Sequence, residues 1–215
     1  MGYLKRQKVP KKWPIPRKGT AYVIKGASLR NGVPILVILR DILKIAKNRS
    51  EVKKAINARN ILINTKAVID DKKSILLFDT ITIVPSGKNY KLGLNEIGKF
   101  KMEEISGKEA SYKISKIVDK KILKEKKVQL NFIDGKNYVS EIKCKTNDSA
   151  LINLQGKKIE KCIPLKEGAK VIIFEGKHAG KTGRIKSLKE EKKMAEVEIE
   201  NKIVNVLIKQ FMVIE

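Results

Sequence analysis

Residues 166–185 read KEGAKVIIFEGKHAGKTGRI, and this stretch decides what the carboxyl-terminal part of the chain can form. An apolar run at 171–174 precedes a glycine-rich loop at 175–184, and further short runs rich in β-branched residues follow. Such runs, separated by turn residues, predict β-strands. We therefore expect a separate small β-barrel, with later strands at 185–188, 195–199, 203–208 and 211–214 and a turn at Glu200 and Asn201.

The Gly-Lys-Thr sequence at 180–182 raises the question of a nucleotide-binding P-loop. That motif has four residues between its first glycine and Gly-Lys-Thr, whereas Gly176 leaves three and Glu175 occupies the position that glycine would need. Gly183 follows at once, and the sequence then favours a strand instead of the helix that a P-loop opens. The loop therefore does not predict nucleotide hydrolysis.

Strand-like patterns also fill the centre of the chain. Asn64, Thr65 and Lys66 form a predicted turn, and Asp134-Gly135 is a strong hairpin dipeptide. Many short strands at this spacing indicate a small barrel or sandwich. The predicted strands are at 61–63, 67–69, 74–78, 80–84, 111–118, 128–133, 138–143, 149–154 and 158–163.

Two short helices are predicted before these strands. The first starts at Pro34 and runs to Ala46 with apolar residues on one face, and the second starts at the N-cap Ser50. Val52, Ala55 and Ile56 give the second helix its apolar face. The opposite faces are expected to form one continuous basic surface from Arg40, Lys44, Lys47, Arg49, Lys53, Lys54 and Arg59.

The amino-terminal stretch is basic and lacks acidic residues, because the first carboxylate is Asp41. Pro10, Pro14 and Pro16 disfavour a helix and favour extended backbone. We expect an extended arm that becomes ordered only against an anionic partner, with its charges at Lys5, Arg6, Lys8, Lys11, Lys12, Arg17 and Lys18. Trp13 is expected either to anchor this arm to the protein body or to stack on an unpaired base.

The charge balance points to a polyanionic partner. The chain of 215 residues has 48 Lys and Arg against 23 Asp and Glu, a formal charge of +25. Nucleic-acid backbones are the usual match, since neutralised phosphates release counterions, and an anionic membrane is the alternative. The longest apolar run, at 33–39, is too short to span a bilayer, so no membrane insertion is expected.

No catalytic or metal-binding constellation is predicted. Cys144 and Cys162 lie far apart without Cys or His at metal spacing, which indicates two inert thiols in a reducing cytosol. His178 is the only histidine, and the acidic pairs 70–71 and 103–104 lack the apolar setting that tunes one carboxylate against another. We expect no enzyme activity, no cofactor and no small-molecule substrate.

Two resemblances extend this interpretation. Gly168, Val171, Gly176, Gly180, Lys181, Gly183 and Ile185 resemble the KOW motif, in which Lys177, His178, Lys181 and Arg184 would line an RNA contact. The chain as a whole resembles the archaeal and eukaryotic e-type ribosomal protein S-four family of the small subunit. The resemblance lies in a series of sequence segments that occur in the same order, at 3–6, 10–13, 15–18, 33–41, 127–131, 134–137 and 176–181. The chain departs from the family pattern at Tyr3, at 30–32, at Thr65 and at 74–79.

The family resemblance implies an α+β, mostly β protein in four parts. These are a basic arm at 1–33, an S-four RNA-binding module of two short helices plus a hairpin at 34–100, a central β domain at 101–165 and a KOW domain, an SH3-like β-barrel, at 166–215. It implies a structural constituent of the small subunit in the cytoplasm, a monomer within the ribosome that contacts small-subunit rRNA and neighbouring ribosomal proteins.

The residues expected to bind rRNA combine the arm, the helix surface and the loop. They are Lys5, Arg6, Lys8, Lys11, Lys12, Trp13, Arg17, Lys18, Arg40, Lys44, Lys47, Arg49, Lys53, Lys54, Arg59, Lys66, Lys177, His178, Lys181 and Arg184. The alternative is a KOW-containing transcription or translation factor that visits RNA transiently. An RNA-modifying enzyme with an S-four module is disfavoured, since the sequence has no Rossmann glycine fingerprint after a strand.

Overall fold

The computed structural model describes residues 2–29, 31–123, 128–140, 142–189, 193–200 and 202–214. The fold is α+β and mostly β, as the sequence predicts. The chain divides into two compact units. Unit one runs to Asn95 and includes Lys99–Ser111, and unit two contains Glu96–Gly98 and the chain from Tyr112 onward. The four-part division at 33/34, 100/101 and 165/166 stays a prediction.

Unit one contains three antiparallel sheets. β1 pairs with β2, β3 pairs with β6, and a five-stranded sheet has the order β5-β4-β7-β8-β9. The strands are β1 (Tyr3–Lys5), β2 (Tyr22–Ile24), β3 (Gly32–Pro34), β4 (Ile61–Ile63), β5 (Lys66–Ala67), β6 (Ser74–Leu76), β7 (Thr80–Ile83), β8 (Lys88–Leu94) and β9 (Phe100–Ile105). The sequence prediction missed β1, β2, β3, β8 and β9.

The helices of unit one are short: α1 (Ile35–Val37), α2 (Arg49–Asn57) and α3 (Gly107–Ala110), the last of which the sequence did not predict. A π-helical segment at Ile38–Ile42 continues α1, and the helical conformation ends there, so the predicted extension of this helix to Ala46 is wrong. The residues from Ile35 to Leu39 are all buried, because this segment is enclosed on more than one face.

Asn48, not Ser50, is the N-cap of α2. Its Oδ1 accepts a hydrogen bond from the backbone N–H of Glu51 at 2.9 Å, and the Glu51 carboxylate accepts one from Lys47 N–H at 2.7 Å. The Asn48 side-chain amide also donates to Glu51 Oε1 at 2.9 Å, so Glu51 ties the start of the helix to the two residues before it. The cap at Asn48 starts the helix two residues earlier than predicted and brings Arg49 into its first turn.

The amino-terminal segment is packed within unit one, so the expectation that it becomes ordered only against an anionic partner is wrong. Val9, Trp13, Val23 and Ile24 are buried, and the Trp13 indole N–H donates to Gly32 O at 2.9 Å. The Arg6 guanidinium donates to backbone oxygens of this segment, Thr20 O at 2.6 Å and Pro16 O at 2.8 Å. The apolar residues between the lysines are buried and hold the segment in place. Charge and proline content alone do not predict this packing.

Unit two contains two five-stranded antiparallel sheets, with the orders β12-β11-β10-β13-β14 and β18-β17-β16-β15-β19. Its strands are β10 (Tyr112–Ile122), β11 (Val128–Phe132), β12 (Asn137–Ser140), β13 (Ser149–Asn153), β14 (Lys158–Ile163), β15 (Lys170–Ile173), β16 (Thr182–Lys189), β17 (Met194–Ile199), β18 (Lys202–Leu207) and β19 (Phe211–Val213). The predicted turn residue Glu200 has φ +48°, and Asn201 lies outside the described residues.

Each sheet of unit two has its own apolar core. Ile117, Leu130 and Ile152 are fully buried in the first, and Val171 and Val197 are fully buried in the second. Alternate strand positions point to one face, which is why these residues meet.

Two lysines of β10 are buried in unit two. Lys113 pairs with Asp134 at 2.6 Å, and both side chains are almost fully buried. The Lys116 ammonium donates to the carbonyl oxygens of Ile208 and Phe211, the latter at 2.9 Å. Lys116 therefore connects the first sheet to the segment that carries β19.

Candidate nucleic-acid interface

Helix α2 carries part of the basic surface that the sequence predicts. Val52 and Ile56 are buried, whereas Lys53 and Lys54 are exposed on the other side of the helix. Arg59 is exposed just beyond the helix end, with φ +55°. The periodicity of the apolar residues fixes this arrangement, because a helix buries positions three or four apart and exposes those between them.

Arg49 is held by an acidic partner at the start of α2. Its Nε donates to Asp71 Oδ2 at 2.5 Å and its Nη2 to Asp71 Oδ1 at 3.3 Å. Burial alone would raise the pKa of Asp71, but the hydrogen bonds and charge of Arg49 outweigh it and lower that pKa below its ordinary value. The Asp71 hydrogen bond in turn raises the pKa of Arg49. The pair is therefore fully ionised and fixes the guanidinium in place.

The same guanidinium contacts an aromatic ring of β1. Arg49 Nη1 donates to the Tyr3 hydroxyl at 3.1 Å, and its central carbon lies 6.0 Å from the centre of the Tyr3 ring. A cavity of about 330 Å³ adjoins this cluster, and its lining includes Arg49, Lys53, Ile69, Asp70, Asp71 and Lys72. Ile69 is 92% exposed there. The cluster thus combines cations, an exposed apolar side chain and an aromatic ring.

The predicted cations of the amino-terminal segment fall into two groups. Arg6 and Lys12 are half-buried, and Arg6 hydrogen-bonds backbone within the segment. The Arg17 guanidinium is exposed although it donates to Val9 O at 3.2 Å. The exposed group is Lys5, Lys8, Lys11, Arg17 and Lys18.

The remaining predicted cations of unit one also differ in their surroundings. Arg40 pairs with its neighbour Asp41 at 2.8 Å and is half-buried. Lys44 is exposed in a left-handed conformation with φ +53°, and Lys47 and Lys66 are exposed as well. The prediction that Lys44 lies on a helix face is wrong, because the helical segment ends before it.

The glycine-rich loop of unit two connects β15 to β16. Gly176 and Gly180 have φ near +90°, a conformation that glycine adopts without steric cost. Lys177 is exposed, His178 is half-buried, and Lys181 pairs with Glu200 at 3.2 Å. Arg184 is exposed on β16 and lines a groove of about 450 Å³ with Gly168, Lys170, Thr182 and Gly183. The loop therefore places cationic side chains beside glycine backbone that a phosphate chain can approach closely.

Trp13 has to be removed from the set of candidate RNA contacts. Its side chain is 2% exposed and its only polar group is bonded to Gly32, so the ring is not accessible to a base. The packing alternative is the correct one. The most exposed aromatic rings among the described residues are Tyr3 and Tyr22, at 58% and 60%, and sequence reasoning missed both. A tyrosine at either end of the basic segment, Tyr3 before Lys5 and Tyr22 after Lys18, is the signal that could have found them.

The described part of the chain holds no group of three or more His, Cys, Asp or Glu side chains that could bind a metal ion. Cys144 is buried and Cys162 half-buried, and burial raises the pKa of the Cys162 thiol. The Cys162 thiol is therefore protonated and unreactive at neutral pH, and burial shields Cys144 from reagents. No helix among the described residues has the length and apolar character needed to cross a bilayer.

Known proteins resemble this chain over most of its length. The model of the Ribosomal family S4e matches residues 86–159. The small ribosomal subunit protein eS4 of Methanocella arvoryzae is 38% identical over 87% of this chain and 81% of its own length. The corresponding protein of Archaeoglobus fulgidus is 37% identical over 86% and 79%.

A solved structure shares the fold. The crystal structure of the 30S ribosomal protein S4e from Thermoplasma acidophilum superimposes with a TM-score of 0.73, covering 86% of this chain and 95% of that one at 24% identity. That identity is low enough that the likeness bears on the fold alone. The sequence matches to the archaeal relatives, which span most of both partners, decide the family. The chain therefore belongs to the S4e family of ribosomal proteins.

Proposed function

We propose that this protein is a structural constituent of the small ribosomal subunit, binds small-subunit rRNA and catalyses no reaction. Its relatives are named small ribosomal subunit protein eS4, and the site geometry agrees with that role. Its place is the cytoplasmic ribosome, as one copy among neighbouring ribosomal proteins. Backbone and shape recognition of folded RNA requires rigid small domains that carry spread positive charge.

The observation that carries the proposal is the set of exposed cations on folded elements. In unit one, Lys53 and Lys54 lie on a capped helix, and Lys5, Lys8 and Lys11 lie on a segment anchored by buried Trp13. Because these cations are mounted on folded backbone, the backbone loses little conformational entropy when they bind phosphates. The arrangement therefore favours RNA binding in a defined geometry.

The proposed rRNA contacts follow from exposure. The exposed candidates are Lys5, Lys8, Lys11, Arg17, Lys18, Lys44, Lys47, Lys53, Lys54, Arg59, Lys66, Lys177 and Arg184. Arg6, Lys12, Arg40, Arg49, His178 and Lys181 are half-buried, and we assign them a supporting role at the edges of these contacts.

The finer division of the chain is also part of the proposal. Residues 34–100 contain α1, α2 and the β4–β5 hairpin, which supports an S-four RNA-binding module. Residues 101–165 hold the first sheet of unit two, a central β domain, and residues 166–215 hold the second. The strand–loop–strand of β15 and β16 with its glycine-rich loop supports a KOW domain of SH3-like type at 166–215.

Sedimentation of ribosomes tests the role. A tagged copy of the full chain is expressed in the cells that make it, and its stoichiometry on gradient-purified small subunits is measured before and after a high-salt wash. A structural constituent stays near one copy per small subunit. Release by the wash, or co-migration with free RNA or polymerase fractions alone, would contradict the proposal and favour a transient KOW factor.

A further inference from the structure

The β1–β2 sheet presents two exposed tyrosine rings between basic side chains. Resting on the proposed rRNA-binding role, we propose that Tyr3 and Tyr22, with Lys5 between them, form a stacking platform for unpaired nucleotides of RNA. The occupant is a single-stranded segment, because its bases have free faces, whereas a duplex hides them in its stack.

The strand register places the two rings on one face. Tyr3 lies opposite Ile24, and Lys5 lies opposite Tyr22. Opposed residues of an antiparallel pair point to the same side, so Tyr3, Lys5 and Tyr22 share a face and the tyrosines are diagonal neighbours. Diagonal positions are roughly 7–8 Å apart, a separation that lets two rings serve successive bases of one strand.

Both rings are accessible. Tyr3 is 58% exposed and Tyr22 60% exposed, and these are the largest exposures of any tyrosine in the described residues. Tyr138, by contrast, is half-buried and packs edge-on against Phe132 with ring centres 5.5 Å apart. Exposed rings on a folded sheet leave apolar area in water that a base can cover.

The surroundings of the rings are cationic. Lys5 and Lys25 are exposed on the same two-stranded element and its continuation, and the Lys72 ammonium lies beside Gly2. Asp71, the buried acid nearby, is neutralised by Arg49 at 2.5 Å. Asp70 remains exposed and accepts a hydrogen bond from Lys72 N–H at 3.0 Å. The net positive balance favours a phosphate chain alongside the rings.

Arg49 orients one of the rings in advance. Its Nη1 donates to the Tyr3 hydroxyl at 3.1 Å, while its Nε donates to Asp71 at 2.5 Å. The Tyr3 ring is therefore fixed before RNA binds, which lowers the entropy lost on binding. The chain Asp71–Arg49–Tyr3 links the helix surface to the platform.

Fluorescence of a modified RNA tests the platform. The probe is an unstructured RNA of about 12 nucleotides with 2-aminopurine at one internal position, titrated with the full chain, because stacking on an aromatic ring quenches this base. The wild type should quench it. Tyr22→Leu and Tyr3→Leu should each weaken binding about 5- to 100-fold and reduce the quenching, in line with base–aromatic stacking energies.

Ring-retaining variants are the matched controls. Tyr22→Phe and Tyr3→Phe keep the stacking surface and should retain quenching and most of the affinity. Val84→Ala, which truncates another exposed apolar side chain of unit one, should change neither. A Leu variant that quenches and binds like the wild type overturns the proposal, and so does a Phe variant that is as weak as the Leu variant.

Thermal unfolding will show whether each variant folds. If one does not, a second experiment on the wild-type chain tests the platform without any substitution. RNA carrying 5-iodouridine is irradiated with the wild-type chain, and the crosslinked peptides are identified; adducts at Tyr3 or Tyr22 support the platform, and their absence overturns it. Wild type that binds small-subunit rRNA but never quenches the oligonucleotide disproves only the platform. Wild type that binds neither disproves the proposed function as well.

Discussion

Lys53 and Lys54 on α2 have the same side chain as Lys113 and Lys116 on β10, yet their surroundings are opposite. The first pair is exposed, and the second pair is 2% exposed. Burying an ammonium costs several kcal/mol unless partners compensate, and here Asp134 and two backbone carbonyls do so. The comparison teaches that net charge does not equal RNA-binding charge, because part of it is structural.

The largest expected effect is loss of the buried ion pair. Lys113→Met leaves Asp134 buried without its cation, so the free energy of unfolding should fall by about 3–5 kcal/mol in a urea titration. Lys113→Met combined with Asp134→Asn should recover most of this loss, because the amide oxygen still accepts from Lys136 N–H. A loss below about 1 kcal/mol in the single variant would mean that Lys113 is not structural.

The second effect is a pH dependence centred on Lys116. Burial lowers its pKa to about 8 in the folded protein, against 10.5 unfolded. Between these two pKa values, Lys116 is protonated in the unfolded chain but largely deprotonated in the folded one. The free energy of unfolding of the wild type should therefore rise with pH by about 1–3 kcal/mol relative to that of Lys116→Met. Unfolding titrations at pH 7 to 11 measure the difference. Lys121→Met, at an exposed position of the same strand, retains Lys116 and should therefore show the same rise as the wild type.

The third effect concerns the support beneath the exposed lysines. Asn48→Ala removes the N-cap of α2 and should destabilise unit one by about 1 kcal/mol in denaturant unfolding. Ser50→Ala should cost little, since Ser50 lies inside the helix and is exposed. If Ser50→Ala costs more than Asn48→Ala, the assigned cap is incorrect.

The smallest effect on stability should come from the exposed pair. Lys53→Gln with Lys54→Gln should change the free energy of unfolding by less than about 0.5 kcal/mol while reducing the salt slope of rRNA binding by about 1.5–2. Lys88→Gln with Lys101→Gln removes lysines that already pair with Glu104 and Glu103, and it serves as the matched control. Equal slopes for the two double variants would contradict the helix interface.

Sequence reasoning succeeded where one physical signal dominated. The strand Lys158–Ile163 has the predicted bounds, and the buried face of α2 is the predicted one. In both cases the spacing of apolar residues along the sequence shows directly which side chains are buried. Sequence reasoning missed β8 and its partner β9. In β8, Lys88–Leu94, lysine, asparagine and glycine interrupt the apolar pattern that would indicate a strand. The pairing of the two strands in the sheet, a tertiary effect, overrides that weak local signal.

The site was predictable only in part. The exposed lysines of α2 follow from periodicity, but the burial of Lys113 and Lys116 does not, because their partners Asp134, Ile208 and Phe211 are distant in sequence. Trp13 failed as a base-stacking candidate for a similar reason: only the fold shows that its indole faces Gly32. Local sequence identifies residue types, and long-range contacts decide which of them reach the surface.

The most direct test of the central claim is the affinity of the intact wild-type chain for protein-free small-subunit rRNA as a function of salt. Several exposed cations meeting phosphates predict a fall of about 10³-fold or more between 50 and 200 mM salt, with a linear log–log slope. Affinity that is absent, or that stays constant over this range, would contradict the claim that surface lysines and arginines hold folded RNA.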